Sequence, residues 1–189
     1  MTLVLAAAAV ALLPIGLYAW REHKTSTPSL QWPVLAQILG LAYEAEPPRM
    51  SGAWNGRRVA IETAAPGATM TAWLGAATRV RAECGPKELV ARRAGIVLPD
   101  PVAPADAAFR DRLLARCSEK AAGPTIFDAA MQRRLAALPH VDFVGADTRV
   151  VWSLPAVKDP DAVEAALGAL CAVADALESF PQGGAPSRA

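Results

Sequence analysis

The chain has 189 residues, 53% of them apolar and 6% aromatic, and 19 Lys and Arg nearly balance 18 Asp and Glu for a formal net charge of +1. Such a chain has too much apolar surface to stay disordered, and three cysteines are too few for a disulfide scaffold. The balanced charge argues against a nucleic-acid partner held by bulk electrostatics.

Residues 2–20 contain no charged side chain. As a helix they reach about 28 Å, close to the ~30 Å hydrocarbon core of a bilayer. The sequence therefore predicts a transmembrane helix over 1–20, with Pro14 producing a mild kink. Tyr18 and Trp20 fall at the headgroup level, and Arg21 and Lys24 stop the span. A cleaved secretory signal is the weaker alternative, because no Lys or Arg precedes the run and no small-x-small site ends it. Basic residues follow the span and none precede it. That predicts an inner-membrane, single-pass topology, with the amino terminus outside and the remainder cytoplasmic. Ala7, Ala11 and Gly16 are small enough to pack against a neighbouring membrane helix.

After a juxtamembrane linker over 21–29, the expectation is one cytoplasmic α+β domain over 30–180 and a flexible Gly/Pro/Ser tail over 181–189. Trp32, Leu35, Ile38 and Leu39 mark one face of a first helix, which Gly40 stops. Residues 41–46 alternate weakly as a strand. Asn55-Gly56 supplies the positive φ angles of a tight hairpin, and residues 57–63 alternate behind it with Val59 and Ile61 inward. Residues 69–75 and 77–84 read as an antiparallel pair, and 89–98 as one or two further strands. Over 105–122 helix and strand both fit, with periodicity favouring helix. A helix is expected over 125–138 and two short strands over 140–145 and 148–154, with Asp147 at the turn between them. Asp159-Pro160-Asp161 opens a closing amphipathic helix to about Ser179. The fold class is thus a transmembrane helix followed by an antiparallel β-meander packed by helices.

The pattern Trp32-x-x-Leu35-Ala36-x-x-Leu39-Gly40-Leu41, then Gly52-x-x-x-Gly56-Arg57-x-Val59, then the closing helix, resembles a group of uncharacterised bacterial membrane-anchored proteins. The resemblance implies architecture and no activity, and it would make 109–117 a strand.

No catalytic signature emerges. HExxH, CxxC, GxSxG and phosphate-loop patterns are absent from the sequence. His23 and His140 read as surface residues, Cys117 and Cys171 as core thiols, and Asp128, Asp142 and Asp147 carry no spacing that makes them converge. No cofactor or metal is expected, and the chain reads as non-catalytic. Charge is unevenly spread: residues 49–93 carry eight basic side chains against three acidic, and 159–178 carry five acidic and none basic. A basic sheet is therefore expected either to be neutralised by the closing helix or to dock anionic lipid or an acidic partner, through Arg57, Arg58, Arg79 and Arg81. Trp54 and Trp73 are candidate interface anchors, with core packing the simpler reading. These features together predict a single-span accessory subunit of a larger integral-membrane assembly, photosynthetic or respiratory. The second expectation is a membrane-tethered domain binding a small molecule or lipid, and an enzyme comes last.

Overall fold

The computed structural model describes residues 28–65, 67–93 and 101–180. Twelve elements follow in order: α1 (Pro28–Leu39), β1 (Ala42–Ala45), β2 (Pro48–Trp54), β3 (Arg57–Ala64), β4 (Gly67–Pro86), α2 (Lys87–Arg92), α3 (Ala107–Arg112), β5 (Leu113–Cys117), α4 (Gly123–Ile126), α5 (Ala129–Ala136), β6 (Phe143–Leu154) and α6 (Pro160–Ser179). The six strands form one antiparallel sheet. Strands β1 to β5 lie in sequence order, and β6 pairs with β4 on its other side.

Among the described residues no helix is long and apolar enough to cross a membrane. This corrects the expected fold class: what stands is an α+β domain, with no transmembrane helix in it. The longest helix, α6, has 20 residues but is amphipathic, burying Val163, Ala166, Leu167, Leu170, Cys171, Ala174 and Leu177 and leaving Asp161, Glu164 and Asp175 outside. The span expected over 1–20, the linker and the tail fall outside the described residues.

Local chemistry explains the elements. In α1, Trp32, Leu35, Ala36 and Leu39 are buried at i, i+3, i+4 and i+7, whereas Ile38 is 60% exposed and lies off that face. Gly40 ends the helix at φ 66°, and Leu41 N–H reaches back to the Ala36 carbonyl at 2.8 Å. Asn55 (φ 49°) and Gly56 (φ 78°) make the two-residue turn between β2 and β3. Asp106, Asp128 and Asp159 cap α3, α5 and α6, accepting bonds from the amides of Phe109, Met131 and Asp161.

Several expectations change, among them the single helix over 125–138, which is instead α4 and α5. Residues 69–84 are not a hairpin, because nothing in Gly75-Ala76-Ala77 reverses the chain. Instead β4 runs straight for 20 residues and absorbs the irregularity as register shifts against β6, between Trp73 and Thr78 and between Thr78 and Ala82. On the facing strand, Asp147 (φ 55°) is likewise an irregularity within continuous β6, not a turn between two strands. Residues 87–92 are helical, and 105–122 contains both candidates in tandem: helix α3, then strand β5.

The sheet separates two environments by alternation along its strands, broken where Ala60 and residues 82–85 are buried on both faces. Its inner face carries Met50, Val59, Ile61, Met70, Ala72, Val150 and Trp152, all 0% exposed, beneath α1 and α6. Phe127, Phe143 and Trp152 stack there in series, with ring centroids 6.2 and 5.2 Å apart. The outer face carries Arg49 and Ser51 on β2, Arg58 and Glu62 on β3, Thr69, Thr71 and Trp73 on β4, and Arg149, Val151 and Ser153 on β6. These side chains are half-buried or exposed. Helix α2 covers the far end of this face, where Val90 sits against Gly85.

Candidate functional site: the basic outer face

The six expected docking residues divide between the two faces. Arg57 points inward and is clasped by the closing helix. Its guanidinium donates to Glu178 at 2.6 and 3.0 Å, to Asp175 at 2.5 Å and to the Trp73 carbonyl at 2.8 Å. Gly75 N–H also donates to Glu178. The Arg57 pairing, chiefly its hydrogen bonds, holds the Glu178 carboxyl below its ordinary pKa, and Glu178 in turn raises that of Arg57. Arg57 is therefore structural, tying the hairpin to the end of α6. Trp54 also faces inward, packed against the core with its indole N–H buried and unpartnered. Half-buried, it makes its contacts with the core.

Arg58 and Trp73 lie outside. The Arg58 guanidinium carbon sits 4.5 Å above the centre of the Trp73 ring, a cation–π contact that orients the charge without neutralising it. Across β4, Arg149 is the register partner of Trp73 and is exposed. Among the described residues neither Arg58 nor Arg149 has a carboxylate within ion-pair distance. Arg49 flanks this row but pairs with Glu62 at 3.1 Å. Arg79 is exposed further along β4. Arg81 reaches Glu83 at 3.6 Å, and Glu83 also meets Arg93 at 3.4 Å, in a network that Arg93 extends to Asp142. Glu83 is 3% exposed, so this network serves burial of a carboxylate. Of the six expected docking residues, Arg58, Arg79 and Trp73 thus lie on the outer face clear of these two clusters, and Arg149 stands beside them.

Arg149 lies outside the basic window of 49–93, and only the β4–β6 pairing brings it beside Trp73. The alternation of 148–154 was the sole hint of a strand there. Ala7, Ala11, Gly16, Tyr18, Trp20, Arg21 and Lys24 fall outside the described residues.

Other chemistry-bearing groups have structural uses. Cys84, Cys117 and Cys171 are buried free thiols, and burial raises the pKa of each, opposite to what an activated nucleophile needs. Asp128 caps a helix, Asp142 is held by Arg93 and Asp147 occupies a strand irregularity. Among the described residues no three His, Cys, Asp or Glu side chains group as metal ligands.

The geometry defines an α+β domain with its main helices on one face of the sheet and, on the other, a basic side-chain row that α2 leaves uncovered. No family model and no curated protein matches the sequence. The fold is similar to the crystal structure of the mycobacterial trehalose monomycolate transport factor A, TtfA, with a TM-score of 0.66 and 11% identity over 84% of this chain and 98% of that one. At that identity the likeness is one of fold. The expected single-span accessory subunit of a photosynthetic or respiratory assembly is not sustained, since no helix among the described residues is long and apolar enough to cross a membrane. The membrane tether of the second expectation and the inner-membrane, cytoplasmic placement of 30–180 rested on a span over 1–20; no helix among the described residues is long and apolar enough to cross a membrane, and neither is sustained.

Proposed function

We propose that this chain is a non-catalytic docking domain of the transport-factor kind, taking an acidic segment of a protein partner on the outer face of its sheet. The observation that carries the reading is the row Arg58–Trp73–Arg149, two exposed guanidinium groups flanking an indole with no carboxylate among the described residues paired to either. Arg and Trp contribute disproportionately at interfaces, and carboxylates bind the Arg fork in bidentate geometry. A protein segment fits better than a bilayer. The Trp73 ring is half-buried with Arg58 stacked over one face, which leaves little of it to enter a bilayer, whereas a sheet face accommodates an extended chain lying across it. The TtfA likeness supports the same class of role, a transport factor rather than an enzyme.

Anisotropy of a fluorescent Glu-rich peptide tests this. Binding is expected at low ionic strength, falling as salt is added. The double variant Arg58→Glu/Arg149→Glu should weaken it at least about tenfold, against no change for Arg134→Glu on exposed α5. Equal loss in all variants, or no loss in the double variant, sinks the proposal. Co-sedimentation with phosphatidylglycerol vesicles that depends on the same two arginines, in the absence of peptide binding, would replace the protein partner with a lipid surface.

A further inference from the structure

A second feature lies far from the basic row. A cavity of about 360 Å³ opens where the end of α5, the end of β6 and the first turns of α6 meet. Its walls are apolar: Leu138, Leu154, Pro155, Val163 and Ala166, of which Leu138, Val163 and Ala166 belong to the core. Its volume falls within the ordinary range of small-ligand sites.

Both sides of the cavity are fixed before anything binds. Arg112 donates to the carbonyls of Ala136, Leu138 and Pro139 at 2.9, 3.0 and 3.2 Å. These include carbonyls that a helix end leaves without partners, so the Leu138–His140 side is held by a charged fork. On the opposite side, Ser153 N–H donates to the Asp142 carbonyl at 2.8 Å. Asp159 caps α6 with its carboxylate on Asp161 N–H and its carbonyl on Val163 N–H, each at 3.1 Å. A preformed apolar site avoids part of the ordering cost of binding.

The polar groups at the cavity are His140, Lys158 and Asp159. Asp159 is occupied by the cap. Asp161 and Glu164, the other carboxylates of the first turns of α6, are exposed. Lys158 is exposed and has no ion-pair partner among the described residues. It stands beside the amino end of a 20-residue helix, whose dipole is already complemented by Asp159 and Asp161, so that Lys158 is the cation left to a ligand. Lys158 is thus the charged side chain of the lining that no polar contact among the described residues engages, and an apolar slot with that ammonium at its rim matches an amphiphile whose head carries the opposite sign.

We infer that this cavity binds one alkyl chain bearing an anionic head, with the chain between Leu138 and Val163 and the head at Lys158. A free fatty acid and a single-chain phospholipid share that chemistry. Calorimetry on the full chain separates them, using dodecanoate, lysophosphatidylglycerol and uncharged dodecanol, each below its micelle concentration. Saturable one-to-one binding of dodecanoate or of the lysolipid is expected, and whichever binds names the source. Ala162→Phe, at the half-buried rim, should weaken binding of every chain at least about tenfold while circular dichroism stays unchanged. Lys158→Glu, on the exposed mouth, should weaken the two anions about tenfold and leave dodecanol unaffected. Absence of saturable binding by any of the three overturns the inference. So does binding by folded Ala162→Phe equal to that of the parent, or an equal loss of dodecanol and anions in Lys158→Glu. Arg58 and Arg149 take no part, so failure here leaves the docking face standing, and the converse holds.

Discussion

Arg57 and Arg58 are neighbours on one strand, yet they sit on opposite faces of the sheet and have different fates. Arg57, with its side chain only 12% exposed, is fully engaged by two carboxylates of α6 and a backbone carbonyl. Arg58 is exposed, rests on the Trp73 ring and meets no carboxylate among the described residues. The same contrast holds for tryptophans: Trp152 is 0% exposed and stacked on Phe143, while Trp73 faces outward. The parity of a strand position decides whether a cation is structural or available, and the charge total of a segment does not.

The comparison can be broken most sharply at the tryptophans. Trp152→Ala should cost about 3–5 kcal/mol of stability, the range for emptying a buried aromatic site, and Trp73→Ala about 1 kcal/mol or less. Denaturant unfolding of both variants checks this; similar losses would mean that the outer face is also buried. Next come the arginines. Arg57→Ala should cost about 2–3 kcal/mol, because it leaves the Trp73 carbonyl and the Glu178 carboxylate without their charged partner. Arg58→Ala should stay within about 0.5 kcal/mol.

The smallest effect is that of pH. The Glu178 pKa is lowered on folding, chiefly by its hydrogen bonds from Arg57. Its contribution is therefore complete at neutral pH, above the ordinary carboxylate range, and is lost as the pH falls through the lowered folded value. Melting temperatures recorded from neutral pH into the acid range should fall further for the parent than for Glu178→Gln, the difference amounting to about 1 kcal/mol or less for so accessible a pair.

Much of the inner architecture was legible in the residues. Asn55-Gly56 can hardly be anything but a tight turn, and the stripe from Val163 to Leu177 with Asp159 before it specifies a helix end to end. What could not be read depended on distant pairing. Nothing local distinguishes a strand that folds back at Gly75 from one that runs on to Pro86, since the register shifts that let β4 continue are imposed by β6. At 105–122, helix and strand signals both existed because both structures are present, joined at Arg112 and Leu113. The basic character of 49–93 was visible, but the division of its arginines between faces was not, and Arg149 entered only through tertiary pairing.

The edges of this sheet carry a consequence of their own. Strand β1 is four residues long and abuts Pro47-Pro48, while β5 has its Ala115 carbonyl taken by Val102 N–H at 3.0 Å. The outer margin of β6 is interrupted at Asp147, with charged Arg149 close by. Short, capped or irregular margins deny an incoming chain the continuous ladder that amyloid-like stacking and strand exchange require. Copies of this domain can therefore crowd together without polymerising through their backbones.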